Sequence, residues 1–131
     1  DGVLLYTYIR IFWRLFIDII EVFQALSDET RLRILLRLYE KPHCVCELTD
    51  ILSLSQPKIS KHLSKLRDLN LVETDRDAQF IIYNLHSGNT QVRELLAFIA
   101  TAYENNPLIR EDRKRQSMCM SGLRLKRDAG V

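Results

Sequence analysis

At 131 residues and 47% hydrophobic composition, the chain can bury one ordinary core and not two, so one domain is expected. The net charge of +2 is uneven: residues 110–131 hold seven Lys or Arg against three Asp or Glu, which excludes a global field for nucleic acid and leaves a local patch as the means of binding it. Three cysteines, two of them separated by a single residue, make no disulfide framework and point to a reducing cytoplasm where thiols serve reactivity or ligation.

The first helix is expected over the apolar stretch from Val3 to Leu26. Thr7, Arg10, Arg14, Asp18 and Glu21 form a narrow polar stripe, while Ile9, Phe12, Trp13, Phe16, Ile19, Ile20 and Phe23 fill the rest of the wheel. Such a helix needs cover on more than one side, which points to a partner subunit. Its charges leave no uninterrupted apolar run of roughly 18 to 20 residues, so no membrane span is expected. A signal peptide is not expected either, since no basic region precedes the apolar part.

Ser27-Asp28-Glu29-Thr30 supplies caps for a second helix with an apolar stripe of Leu32, Leu35, Leu36 and Tyr39, which Lys41-Pro42 ends. A short third helix is expected over about Val45 to Leu52 and a fourth over Gln56 to Leu69, with Pro57 in its first turn. Asn70 follows at a position that often needs a left-handed residue. Leu71–Thr74 and Gln79–Leu85 read as two strands around Asp75–Ala78. Asn89 or Thr90 then caps a fifth helix carrying Val92, Leu95, Leu96, Ile99 and Tyr103. Residues 1–109 are thus expected to form the folded domain, and residues 110–131 a basic, flexible tail.

Two short helices, a tight turn and a hairpin make a winged helix-turn-helix in a mainly α fold. The fourth helix is the candidate DNA reader. Lys58, Lys61 and Lys65 are assigned to phosphates, Gln56, Ser60 and His62 to base edges, and Arg76 at the wing tip to a further contact flanked by Asp75 and Asp77.

Ala25-Leu26-Ser27-Asp28-Glu29-Thr30-Arg31-Leu32-Arg33-Ile34-Leu35, Cys44-Val45-Cys46-Glu47-Leu48, Ser55-Gln56-Pro57 with Ser60 and His62-Leu63, Leu66-Arg67, Leu71-Val72 and Tyr83-Asn84-Leu85 together resemble the ArsR/SmtB family of bacterial repressors. The resemblance covers roughly residues 21 to 104. It implies a homodimer, built through the N- and C-terminal helices, that represses an operon by binding a palindromic operator in double-stranded DNA. Within it Cys44 and Cys46 look like an arsenical-sensing pair, for which arsenite, antimonite or another soft ion is the implied inducer. Where the three-thiol form has its third Cys, this chain has Thr49, so Cys119 from the tail of either subunit, an outside thiol or a solvent oxygen is the candidate third ligand. The family's zinc site falls on Ser87, Asn89, Ala100 and Tyr103, none a good zinc ligand, and His43 beside the pair is a lesser candidate ligand.

Residues two apart on a regular helix point about 200° apart, so ligation by both thiols is expected to unwind the first turn of the third helix and disturb the reader. The alternative reading keeps the repressor and makes the thiols redox sensors. An enzyme is not expected: no His and Asp arrangement supports a nucleophile, and no glycine-rich phosphate loop occurs.

Overall fold

The computed structural model describes the backbone of residues 1–129, and the side chains of all of these but 12–18 and 120–129. The expectations for Phe12, Trp13, Arg14, Phe16 and Asp18 therefore lie outside the described side chains. Six helices and one hairpin follow in the order α1 (Gly2–Leu26), α2 (Glu29–Glu40), α3 (Val45–Leu52), α4 (Gln56–Asp68), β1 (Val72–Asp77), β2 (Phe80–Leu85), α5 (Thr90–Ala102) and α6 (Pro107–Ala129).

The caps explain most boundaries. Asp28, in extended conformation, accepts from the Arg31 amide at 3.0 Å and starts α2. Ser53 ends α3 in the left-handed region at φ 53°, and Asn70 follows α4 at φ 57°, where the Leu71 amide reaches the Leu66 carbonyl. The hairpin is longer than expected, pairing Val72 with Leu85 through Asp77 with Phe80, and its tip places Ala78 at φ 56° where glycine would be unstrained.

The core is an aliphatic cluster of Ile34, Leu35, Leu36, Leu48, Ile51, Leu52, Ile59, Leu63, Leu66, Leu71 and Leu96, drawn from α2 to α5 and completed by Val72 and Leu85 of the hairpin. Burying several such side chains, at roughly 1.5–3 kcal/mol each, fixes α4 against α2 and α3 with its polar side outward. By contrast, Ile19, Ile20 and Phe23 of α1, Phe98 of α5 and Tyr103 at the C-cap of α5 remain exposed. Among the described residues no helix is long and apolar enough to cross a membrane.

Residues 110–129 depart most from expectation. The basic segment read as a tail is continuous with α6, which starts at Pro107 after Asn106 accepts from the amides of Leu108 and Ile109 at 3.0 and 3.2 Å. The helix packs chiefly on α3 and also on α2. Its buried positions Ile109, Asp112 and Gln116 and half-buried Cys119 recur at helical spacing. Half of that stripe is polar, which is why an apolar periodicity does not reveal it.

Candidate thiol centre and nucleic-acid interface

Cys44 is the N-cap of α3, with extended backbone at φ −84° and ψ 169°, and Cys46 lies in the first turn. Because Cys44 stands outside the helix, the 200° separation expected from helical geometry does not apply. The two sulfurs face each other at 2.8 Å, with Cys44 buried and Cys46 exposed. The two sulfurs therefore meet without the unwinding of the first turn expected from helical geometry.

The Cys44 thiol donates to Glu47 Oε1 at 3.3 Å, which leaves Cys46 as the donor between the sulfurs. Burial, the contact with Cys46 and the Glu47 carboxylate together push the Cys44 thiol up to about 12, so it is protonated at neutral pH. Burial alone would raise Glu47, but hydrogen bonds from His43 and Cys44 outweigh it and hold the carboxyl below its ordinary range. The partner of Glu47 Oε2 is His43 Nδ1 at 3.0 Å, on a ring that is fully buried. On its other side His43 Nε2 lies 2.6 Å from Gln116 Nε2 of α6.

That contact fixes both side chains. Gln116 Oε1 accepts from Arg37 Nη1 at 2.6 Å, so its amide nitrogen must be the group facing His43 and the Arg37 carbonyl. His43 Nε2 is then an acceptor, and its proton sits on Nδ1, toward Glu47. With both nitrogens engaged, His43 has no lone pair to offer an ion in this arrangement. Its backbone, in turn, forms a two-bond bridge with Tyr83 of β2, at 3.2 and 2.8 Å. Residue 43 therefore joins the thiol pair to the wing as well as to α6.

A second buried link secures the other end of α3. Arg33 Nε and Nη2 bind the two Asp112 oxygens at 2.8 and 2.9 Å, and Nη2 also donates to the Leu52 carbonyl at the last turn of α3. The hydrogen bond to Asp112 holds the Arg33 guanidinium charged beyond its usual range. Asp112 to Leu52 and Gln116 to His43 show that α6 runs antiparallel along α3, so Cys119, three residues past Gln116, lies toward the Cys44 end. Among the described residues no three Cys, His, Asp or Glu side chains are gathered into a ready metal site. Cys119 is half-buried on α6 and packs against the core.

On α4, Gln56, Lys58, Lys61 and Lys65 are exposed, as is Ser64 between the lysines, which the sequence reading passed over. Ser60 and His62 are half-buried, and His62 Nδ1 sits 4.0 Å from Asp28 Oδ1 at the N-cap of α2. Arg76 is exposed on β1, with its own amide donating to Asp75 Oδ1 at 2.8 Å.

Comparison with known proteins adds an independent view of this arrangement. The family described as bacterial regulatory protein, arsR family, matches residues 28–74. The arsenic resistance transcriptional regulator ArsR1 of Pseudomonas putida is 50% identical over 66 residues, covering 50% of this chain and 52% of that protein. The nodulation protein NolR of Rhizobium meliloti is 38% identical over 94 residues, 66% of this chain and 75% of that one. Among solved structures, HlyU from Vibrio cholerae superposes with a TM-score of 0.62 at 35% identity, covering 66% of this chain and 91% of its own. The chain spans 52% to 58% of the length of the first four curated relatives it matches.

Proposed function

Because the chain belongs to the arsR family of bacterial regulatory proteins, we propose that it is a dimeric, cytoplasmic repressor that leaves its operator when arsenite, antimonite or a related soft ion binds Cys44 and Cys46. The observation that carries this reading is the pair of sulfurs 2.8 Å apart, one exposed, at the start of the helix that leads into the reader. Thiolates are soft donors, and trivalent arsenic is satisfied by three sulfurs. The arsenic-resistance names of relatives such as ArsR1 favour the same class of inducer.

Cys44 and Cys46 supply two ligands, and Cys119 is proposed as the third. Each thiol that bonds to arsenite gives up its proton, a hydroxide leaves with that proton as water, and arsenic stays trivalent. Once Cys44 has lost its proton it no longer donates to Glu47. The Glu47–His43 pair must then rearrange, and the His43–Tyr83 bridge carries that change to the wing while α3 carries it to α4. Two readers so displaced no longer fit successive major grooves, which shifts the population off DNA.

On DNA, Lys58, Lys61 and Lys65 are proposed for phosphates, Gln56 and Ser60 for base edges, and Arg76 for the wing. His62, half-buried 4.0 Å from Asp28, is kept with Gln56 and Ser60 as a base-edge candidate. The second copy is proposed to cover the exposed Ile19, Ile20, Phe23, Phe98 and Tyr103, of which Ile19 and Phe23 line a groove of ≈ 610 Å³ between α1, the start of α5 and the end of α4. X-ray absorption of the arsenite-loaded, reduced protein tests the ligand set. Three sulfurs in the wild type and two in Cys119→Ser support it, whereas an unchanged count in Cys119→Ser removes Cys119 from the site.

A further inference from the structure

The buried polar chain that starts at Cys44 continues beyond the sensing helix. It runs from Cys44 to Glu47, His43, Gln116 and Arg37, and the parallel link Leu52–Arg33–Asp112 fastens the opposite end of α3 to the same helix. Arg37, Asp112 and Gln116 are each at most 3% exposed, and His43 is fully buried. Polar groups this deep contribute specificity of geometry, because each has few alternative partners. The arrangement also holds a defect: Arg37 Nε is buried with no acceptor among the described residues.

We propose that this clamp between α6 and the α2–α3 pair sets the sensitivity of the thiol centre, because it belongs to the ligand-free form and opposes inducer binding. The inference rests on Cys44 and Cys46 being the sensing pair. Its link to the Cys44 thiol makes the clamp specific to the ligand-free form. A Cys44 sulfur bonded to arsenic has no proton for Glu47, so the bond that anchors the chain is lost on ligation. The chain that this bond anchors ends on α6, where Gln116 holds His43 and Asp112 holds Arg33. Whatever stabilises one state of a linked equilibrium weakens the ligand that selects the other. Gln116 and Asp112 are on this account positioning residues, acting on the sulfurs through His43 and Arg33.

The test uses phenylarsine oxide, which needs only two sulfurs. Two S–H bonds and the bonding of oxygen to arsenic break, two As–S bonds form, and the oxygen leaves with both protons as water, arsenic remaining trivalent. Affinity and thermal unfolding are measured for the reduced full chain and for Gln116→Leu and Asp112→Asn. The expected result is that both variants unfold at lower temperature yet bind the probe about tenfold more tightly, the equivalent of about 1.4 kcal/mol. A merely structural role would lower stability without raising affinity. Should Gln116→Leu fail to fold, the near-isosteric Asp112→Asn carries the test. Equal or weaker binding by a folded variant, with the wild type still binding, overturns the clamp and leaves the thiol reading standing. No binding by the wild type overturns both.

Discussion

Replacing Asp112 by Ala gives a sharp test of how α6 is held. The side chain is 1% exposed, and both oxygens accept from Arg33 at 2.8 and 2.9 Å. The guanidinium is itself 8% exposed, so the variant leaves a buried cation with only the Leu52 carbonyl and a looser 3.8 Å contact to exposed Glu29. Removing one partner of a buried ion pair costs about 3–5 kcal/mol. The remaining acceptors place this case near the lower figure, about 3 kcal/mol, or roughly 10 °C in Tm for a chain of this size. Urea unfolding followed by circular dichroism measures it. Replacing both partners, as Arg33→Leu with Asp112→Leu, should recover most of the loss, since neither charge is then stranded. A loss below about 1 kcal/mol for Asp112→Ala, the range of an exposed pair, would refute the docking of α6 on α2 and α3.

Three further outcomes follow from the described geometry. Lys61→Gln and Lys65→Gln should each weaken operator binding across all sequences and reduce the slope of log affinity against log salt by about 1, read from anisotropy titrations at several salt concentrations. Asp28→Ala should cost about 1 kcal/mol at neutral pH through loss of the α2 cap. The Arg31 amide holds the Asp28 carboxyl below its ordinary value, so its contribution is present above the unfolded pKa and is lost as pH falls through the folded one; the wild type and variant should converge in acid unfolding once pH falls below the ordinary carboxylate range. Iodoacetamide should alkylate exposed Cys46 well before Cys44, because the Cys44 thiol is buried and pushed up to about 12, and peptide mapping after a timed reaction reads the order.

Much of this fold is written in patterns that local physics reads directly. Asp28 before an apolar stripe, Pro57 in a first turn and Asn70 after a helix each carry a backbone requirement that few residues meet, and all three do so here. The reader's lysines are exposed for the same reason that Ile59, Leu63 and Leu66 are buried: both sets follow the helical repeat. The site was less legible. Whether Cys44 belongs to α3 or caps it decides where its sulfur points, and a one-residue boundary is not encoded in periodicity. The docking of α6 depends on Asp112 and Gln116, polar side chains that resemble solvent-facing ones until Arg33 and Arg37 are placed opposite them. Asn106 accepting from the amides of Leu108 and Ile109 meets the backbone requirement at the start of α6, but the basic residues that follow carry no apolar repeat to extend it.

The central claim is that the state of two thiols decides whether the protein holds DNA. The most direct measurement is anisotropy of a labelled operator duplex, selected by the reduced protein from a pool of promoter fragments, as arsenite is added to the wild type and to the Cys44→Ser, Cys46→Ser double variant. Both proteins should bind the duplex, and stoichiometric arsenite should release only the wild type. Arsenite release of the double variant, or continued binding by the ligand-treated wild type, would contradict the account.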